Sequence, residues 1–210
     1  MWYYDPRHPL GFGGAQALRG YPPAEPTDDF LKQQEAYVVL KEPRRPRRFI
    51  PVYVRRPREL CHMDLANFDR QGRYNRGYNF LLCVIDAFTR KAWVVPLKNK
   101  KASTVLDGFK TIHAQAGRID KLASDLGKEF FNREFAAYCQ ERNIRHFCPR
   151  TSGKAVLAER FIKTLKKLLM RYMTARKTRT FLPALEGIVE GYNNKVHRIL
   201  RTDRKSTRLN

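Results

Sequence analysis

The chain has 210 residues and carries 42 Lys and Arg against 20 Asp and Glu, which gives a formal net charge of +22. Its hydrophobic content of 42% and its aromatic content of 12% exclude disorder for most of its length. So strong a positive charge favours a polyanionic partner, above all nucleic acid. A ribosomal-type structural protein and a protein that binds anionic membrane surfaces are the alternatives that charge alone leaves open.

The four cysteines, at positions 61, 83, 139 and 148, form no CxxC pair, and no histidine pair stands at zinc spacing. We therefore expect no structural zinc. Cys61 and Cys83 lie in apolar runs and are predicted to be core residues of an intracellular, reduced protein. No apolar run approaches the roughly 20 residues of a membrane span, and the amino terminus lacks the pattern of a signal peptide.

Residues 1–59 are predicted to form a partly disordered arm and a basic linker. Residues 1–30 are rich in Gly, Pro and aromatic residues, and Phe30–Leu40 is compatible with a short helix. Lys41–Arg58 combines eight basic residues with four prolines, which favours an extended path suited to DNA phosphates or a minor groove. A solvated linker is the alternative. The candidate DNA contacts of this segment are Arg44, Arg45, Arg47 and Arg48.

From Leu60 onward the hydrophobic pattern is that of an α/β domain with a mixed sheet, at residues 60–200. Tyr78–Asp86 is nearly all apolar, as in a strand covered on both faces. A loop is predicted at Asp69–Gly77. The predicted strands and helices are, in chain order, Leu60–Phe68, Tyr78–Asp86, Lys91–Leu97, helix Lys101–Gln115, strand Arg118–Asp125, helix Asn132–Arg142, strand Ile144–Phe147, and helices Lys154–Arg176 and Phe181–His197.

Three carboxylates stand at strand and helix ends of this pattern. Asp64 lies within an apolar strand, where a charge is costly unless it is paired or binds a metal. Asp125 closes the fourth strand, and Glu159 lies in the first turns of the long basic helix, opposite an apolar stripe. That predicted stripe consists of Phe161, Leu165, Leu168 and Tyr172.

Each of the three acids alone is weak evidence, because a lone strand Asp or a helix Glu beside Lys is usually structural. Rival acids stand at Asp69, Asp86, Asp120 and Glu129, and Asp86 is compatible with a turn cap. Gathered at one edge of a sheet, Asp64, Asp125 and Glu159 would supply hard oxygen ligands for Mg²⁺ or Mn²⁺.

Basic residues on the same long helix are the second group of candidate DNA contacts. A solvated helix face is the alternative, and Arg160 is also placed to pair with an acid. The loop Gly72–Gly77 is a further candidate for stacking or for contact with a partner subunit. The candidate contacts on the helix are Lys154, Arg160, Lys163, Lys166, Lys167 and Arg171.

The sequence resembles the integrase core of retroviruses, LTR retrotransposons and DNA transposons, the Asp-Asp-Glu recombinases. The resemblance spans about residues 60–200 and rests on MDLANF around Asp64, NFLLCVIDAFTRKAWVVPLKNK, SDLGKEFFN around Asp125, KAVLAERFIKTLKKLLMRY around Glu159, and YNNKVHRIL. YNRGYNFLL, the segment TARKTR and the upstream DDFLKQQEAYVVLKEPRRPRRF are most similar to integrases of Polinton/Maverick transposons.

The resemblance implies a ribonuclease-H-like three-layer domain with a five-stranded mixed sheet flanked by helices. It implies 3′-end processing and strand transfer into target DNA, with two Mg²⁺ or Mn²⁺ ions held by Asp64, Asp125 and Glu159. It further implies action in the nucleus on double-stranded DNA as a homodimer or homotetramer.

The sequence also departs from the family pattern. The 33 residues between Asp125 and Glu159 form a slightly shorter segment than in retroviral enzymes, and Ile162 stands where Asn is frequent. The zinc module and the carboxyl-terminal domain of retroviral integrases are missing from the pattern. Asp203–Asn210 resembles a translated sequencing adapter, so residues 201–210 are expected to be an artefactual tail.

Three alternatives to an active integrase stay open from the sequence. A ribonuclease-H-like nuclease would favour a set of aspartates without the Glu. A truncated or inactive transposon-derived protein would bind DNA without chemistry. A basic RNA-binding structural protein leaves the three placed acids unexplained.

Overall fold

The computed structural model describes residues 28–35, 38, 53–149 and 156–194. The chain divides into two units, Met1–Ile50 and Pro51–Asn210. In the first unit, helix α1 spans Asp28–Lys32, and an ion pair of 2.7 Å joins Lys32 to Asp29 across one turn. The four arginines at 44, 45, 47 and 48 and the suspected tail at 201–210 lie outside the described residues.

The second unit contains the predicted α/β pattern, with most helices and strands within two residues of their expected bounds. The predicted fourth strand is longer than the observed one. The elements are β1 Leu60–Asn67, α2 Asp69–Gly72, β2 Phe80–Asp86, β3 Ala92–Leu97, α3 Ala102–Ala116, β4 Lys121–Ala123, α4 Arg133–Glu141, β5 Arg145–Phe147, α5 Val156–Ala175 and α6 Leu182–Asn194.

The strands form one five-stranded sheet in the order β3-β2-β1-β4-β5. β1 pairs antiparallel with β2, and β2 pairs antiparallel with β3, whereas β1–β4 and β4–β5 are parallel pairs. The predicted mixed sheet is therefore confirmed. β1 is the central strand, and it is the strand at which the antiparallel half of the sheet meets the parallel half.

Alternating side chains of the central strands fill two separate cores. Leu82 and Val84 of β2 join the core formed with α3 and α4, which contains Phe109. Leu81, Cys83 and Ile85 of β2 join the core formed with α5 and α6. Cys61 and Cys83 are buried free thiols, so their predicted place in the core is confirmed. In the part of the chain that the structure describes, no helix is long and apolar enough to cross a membrane.

The buried face of α5 differs from the predicted stripe in its second half. Phe161 and Leu165 are buried as predicted, but Leu168 and Tyr172 are only half-buried. The fully buried positions are Leu169 and Met173 because the contact with the sheet follows the i, i+4 row of the helix. Glu159 is exposed, opposite this row, as the pattern predicts.

The segment predicted as a loop after β1 contains the short helix α2 and a buried asparagine. The Asn75 side chain is 1% exposed. Its Nδ2 donates to the carbonyl oxygens of Gln71 (2.8 Å) and Arg179 (3.1 Å). Its Oδ1 accepts from the backbone N–H groups of Phe181 (2.7 Å) and Leu182 (3.1 Å). One side chain therefore joins the β1–β2 connection to the turn between α5 and α6.

Asn75→Ala is expected to lower the free energy of unfolding by about 3 kcal/mol, since it removes four hydrogen bonds, one of them buried and three partly buried. Urea unfolding monitored by circular dichroism measures this. Asn194→Ala, at the exposed end of α6, is the control and should change stability by less than about 0.5 kcal/mol. Equal effects of the two substitutions would contradict a structural role for Asn75.

Candidate active site

Two neighbouring parallel strands bring Asp64 and Asp125 together. His62 of β1 lies opposite Ala123 of β4 in the parallel register. Asp64 follows two residues later within β1, and Asp125 lies two residues beyond the carboxyl end of β4, so both acids stand the same number of residues past this pair. Ligand sites of α/β sheets collect at this edge.

Asp64 is half-buried and lies opposite Cys83 in the antiparallel register. Its Oδ1 accepts a hydrogen bond of 2.7 Å from the backbone N–H of Leu65. The pKa of Asp64 is raised from 3.8 to about 6, chiefly by burial and also by the negative charges of Asp125 and Glu159, against the opposing effects of the Leu65 N–H and Lys166. The charges of Asp125 and Glu159 therefore reach Asp64.

Asp125 presents an unsatisfied oxygen, because its Oδ1 is buried without a hydrogen-bond partner. The preceding residue, Ser124, is fixed by His146, whose Nε2 lies 2.8 Å from the serine Oγ. The Ser124 hydroxyl donates to the carbonyl oxygen of Asp125 (3.2 Å), which makes the imidazole N–H the donor to Ser124. Phe131 stacks on His146 with ring centroids 4.4 Å apart. A buried carboxylate oxygen without a partner is costly unless a cation or a donor reaches it.

Glu159 lies in the first turn of α5 and is exposed. Lys163 and Lys166 follow it on the same helix face, at i+4 and i+7. Within the described ranges, no three His, Cys, Asp or Glu side chains are close enough together to enclose a metal ion as they stand. Glu159 therefore affects Asp64 through its charge without sharing a formed ligand set with it.

The rival acids have structural partners. Asp86 caps the β2–β3 turn: its carboxylate accepts from the N–H of Thr89 (3.1 Å), from the Thr89 hydroxyl (2.7 Å) and from the N–H of Arg58 (3.0 Å). Asp120 pairs with Arg56 and Arg118 at 2.7 and 2.9 Å. Asp69 accepts from the Asn67 side chain at 2.7 Å. Glu129 is half-buried in the turn that precedes α4.

The candidate DNA contacts of α5 are exposed wherever the structure describes them. Their side chains spread over one side of the helix, and Lys166 Nζ lies 5.8 Å from the ring centroid of Phe68. No ion pair among the described residues includes them. The exposed members are Arg160, Lys163, Lys166, Lys167 and Arg171. Lys154 lies outside the described residues.

Sequence reasoning missed two buried groups near the site. His62, two residues before Asp64 on the same face of β1, has both ring nitrogens buried without a partner. Burial and then the charge of Arg90 lower the pKa of His62 to about 4. Arg90 also has a buried, unpartnered Nη1. Alternation along β1 would have placed His62 beside Asp64, but nothing in the sequence connects either residue with Arg90.

Comparison with known proteins agrees with this geometry. Residues 54–152 match the family model of the integrase core domain, a segment that contains Asp64 and Asp125 and ends before α5. A transposon-derived protein of Caenorhabditis elegans is 33% identical over 61% of this chain and 46% of its own length. The chain thus spans less than half of that relative.

Solved structures share the fold. The catalytic core of HTLV-2 integrase in complex with magnesium, in its trimeric form, superposes with a TM-score of 0.61 over 71% of this chain and 95% of its own, at 19% identity. The simian T-cell lymphotropic virus intasome in complex with a regulatory subunit of PP2A gives a TM-score of 0.64 over 81% of this chain and 64% of its own, at 22% identity. The expected ribonuclease-H-like fold of integrase catalytic cores is thereby confirmed.

His146 makes stability depend on pH. Burial lowers its pKa from 6.5 to about 4, so the unfolded state binds the proton more tightly. Its contribution to stability is fully present above pH 6.5 and is lost as the pH falls toward 4. In His146→Gln, the fall in unfolding free energy between pH 7 and pH 5 should be smaller by about 1 kcal/mol, allowing for partial solvent exposure.

Urea unfolding at both pH values measures this difference. Arg145→Gln, the exposed neighbour, is the control and should shift both values equally. An unchanged pH dependence in His146→Gln would contradict the assignment of a buried neutral imidazole.

Proposed function

We propose that this chain is a DNA integrase that trims and joins DNA ends by metal-dependent phosphoryl transfer, with Asp64, Asp125 and Glu159 as its catalytic residues. The observation that carries the proposal is the placement of Asp64 in β1 and of Asp125 just beyond the end of the neighbouring parallel strand β4, with Glu159 near enough to raise the pKa of Asp64. The match of residues 54–152 to the integrase core supports it.

The donor atoms of the site fit Mg²⁺ or Mn²⁺. Three carboxylates supply hard oxygen ligands, and the unpartnered Asp125 Oδ1 is the atom with most need of a cation. Glu159 is exposed, so packing does not oppose rotation of its side chain toward the two aspartates. When bound, such ions would polarise the scissile phosphate and activate the attacking oxygen.

The protein's own residues would orient the DNA and the carboxylates. The hydrogen bond from the Leu65 N–H holds the Asp64 carboxylate, and Ser124 and His146 hold the backbone of Asp125. Lys163 and Lys166, on the face of Glu159, would bind phosphates next to the reacting one. A carboxylate is required at each of the three positions because an amide leaves positive charge uncompensated.

A homodimer or homotetramer is proposed as the working form. One of the similar structures is described as trimeric and another as an intasome. In this chain, β3 and α6 border an open groove of about 750 Å³ whose apolar lining includes Trp93, Val95, Leu182 and Val189. Such a groove suits a second copy of the chain, since joining two ends requires at least two subunits.

We also propose a mobile-element origin in the Polinton/Maverick group and action in the nucleus. The first rests on the motifs around YNRGYNFLL and TARKTR. The second follows from the need to reach target DNA.

A DNA-binding protein without chemistry is the second candidate. One observation favours it: the described carboxylates do not form a ready metal site. The basic residues of α5 would then bind DNA without chemistry. The following two experiments separate the candidates.

The first experiment measures strand transfer of a labelled oligonucleotide end into plasmid DNA with Mg²⁺, Mn²⁺ or EDTA. Joined products should appear only with metal, and Glu159→Gln should reduce them by roughly 10²-fold or more because it removes a ligand's charge. Glu134→Gln is the matched control, since Glu134 is also an exposed Glu in the first turn of a helix.

Full activity of Glu159→Gln would reject the assignment of this residue. Cleavage without joining would favour a nuclease. Salt-sensitive DNA binding without products would favour the DNA-binding protein.

The second experiment measures metal binding without DNA. At a Mn²⁺ concentration tenfold above its Kd, the wild-type melting temperature should rise by roughly 4 °C, from the linkage of binding to folding. Asp125→Asn should abolish the rise because it removes the buried unpartnered oxygen's charge. Asp107→Asn, on the exposed face of α3, should retain it. A rise that survives in Asp125→Asn would place the ion elsewhere.

A further inference from the structure

A second basic feature lies at the far end of α5 from Glu159. There the β1–β2 connection and the α5–α6 turn border a groove of about 440 Å³. We call it the Tyr74 groove. Its lining includes Arg70, Tyr74, Met170, Thr174, Lys177 and Arg179, and contains no acidic residue.

The cations of the groove have no acidic partner in the described part of the chain. Arg179 of the lining and Arg73, which adjoins the groove next to Tyr74, instead lie against the Tyr74 ring, with guanidinium carbons 5.1 and 4.6 Å from its centroid. Arg179 also donates a short hydrogen bond to the Tyr74 hydroxyl. Burial raises the pKa of Tyr74, but its hydrogen bond with Arg179 and the charges of Arg179 and Arg73 outweigh burial and lower it. With three cations and no acid in its lining, the groove is electropositive.

The backbone around the groove is fixed. Asn75 joins the two segments through its four hydrogen bonds. After α5, the Thr178 N–H bonds to the Met173 carbonyl and the Lys177 N–H to the Thr174 carbonyl, which is the Schellman pattern of a helix end. Lys177 occupies the position in this pattern that normally favours glycine, with φ at +49°. A cation thus stands where backbone geometry prefers no side chain.

The groove lies on the same face of α5 as the candidate active site. Glu159, Lys163, Lys166, Met170 and Thr174 stand at i, i+4, i+7, i+11 and i+15, and all five are exposed. At a rise of 1.5 Å per residue, α5 ends at Ala175 about 24 Å from Glu159, and the groove cations Lys177 and Arg179 follow this end. Successive phosphates of one strand are about 3.4 Å apart along the duplex axis, so for a duplex that lies along α5 this length equals about seven base pairs.

We propose that the Tyr74 groove binds the phosphate backbone of the same DNA duplex whose end occupies the active site, about seven base pairs inward from the reacting phosphate. The inference rests on the proposed function, since it takes Glu159 as the position of the reacting end. Planar guanidinium groups and a lysine suit phosphate oxygens, and an electropositive groove without base-reading geometry suits contacts that are independent of sequence. An acidic protein segment is the competing occupant.

The test is fluorescence anisotropy of a labelled duplex of about 20 base pairs, titrated at several salt concentrations in EDTA so that no chemistry occurs. The slope of log K against log salt should fall by about 1.8 in Arg73→Gln/Arg179→Gln, at about 0.9 per lost phosphate contact. Lys110→Gln/Arg133→Gln is the control, because these exposed residues of α3 and α4 carry equal charge in the opposite layer. Its slope should not change.

Lys177→Gly separates binding from folding. Glycine relieves the left-handed backbone, so the melting temperature should not fall, whereas the salt slope should fall by about 0.9. Binding to duplexes of different length tests the distance between the groove and the active site. A duplex of about six base pairs cannot span the two sites, so wild type and the double variant should differ less on it than on one of about 14.

Equal salt slopes for the groove pair and the control pair would overturn the proposal and leave the acidic segment as occupant. An equal difference on short and long duplexes would also overturn it, because the groove would then bind DNA independently of the active site. Failure of the wild type to bind any duplex would instead reject the proposed function itself.

Discussion

The half-burial of Asp64 in the central strand is the constraint on which the site depends. Hydrogen-bonded strands on both sides fix the backbone of β1, so the carboxylate cannot leave the sheet edge to regain water. Its charged form is disfavoured by burial and by two neighbouring carboxylates. Only a cation, a proton or a hydrogen-bond donor relieves that cost. A carboxylate with a purely structural role has its hydrogen-bond donors within the fold. Asp86 is an example, since the N–H groups of its turn donate to it. Asp64 has a single donor, the Leu65 N–H, and Asp125 Oδ1 has none, and this difference separates a candidate cation site from a turn cap.

Helix α5 connects folding to this chemistry through its two faces. Its buried row, from Ala158 to Met173, packs on the α5 side of the sheet with α6 and fixes the helix beside β1. Its exposed face then has a defined direction relative to Asp64, although none of its residues enters the core. The charge of Lys166 reaches Asp64 and lowers its pKa, whereas that of Glu159 raises it. A basic helix face could be a solvated surface on any protein. Here it begins at a carboxylate of the site and ends at a second cationic groove.

The sequence predicted those features that follow from local patterns. Continuous apolar runs predicted β1 to β3, and the helix predicted from Asn132 begins there, with the Asn132 side chain accepting from the Phe135 N–H at 2.9 Å. Asp64 and Asp125 were singled out because charged residues at strand positions break an apolar pattern.

Tertiary contacts were not predictable in this way. Asn75 lies in a polar segment that indicates only a loop, yet it is buried by residues more than 100 positions later. His146 supports Asp125 through Ser124 only because β5 pairs with β4. The stripe of α5 was placed wrongly at Leu168 and Tyr172 because apolar residues occupy more of the helix than one row, and packing alone decides which row is buried.

Basic residues occupy most of the left-handed backbone positions among the described turns of this chain. Five described residues other than glycine have positive φ, and four of them are basic: Arg58, Arg76, Arg90 and Lys177. A left-handed conformation costs an ordinary residue roughly 1 kcal/mol relative to glycine. For Arg58, two hydrogen bonds offset part of that cost: its guanidinium donates to the Ala116 carbonyl, and its backbone N–H donates to the Asp86 carboxylate. The Lys177 side chain has no such described partner, and its charge gains only the modest attraction of the carboxyl terminus of α5. A glycine there would give a more stable helix end. The lysine is therefore better explained by a partner outside the chain, and a net charge of +22 makes a polyanion the partner of matching sign.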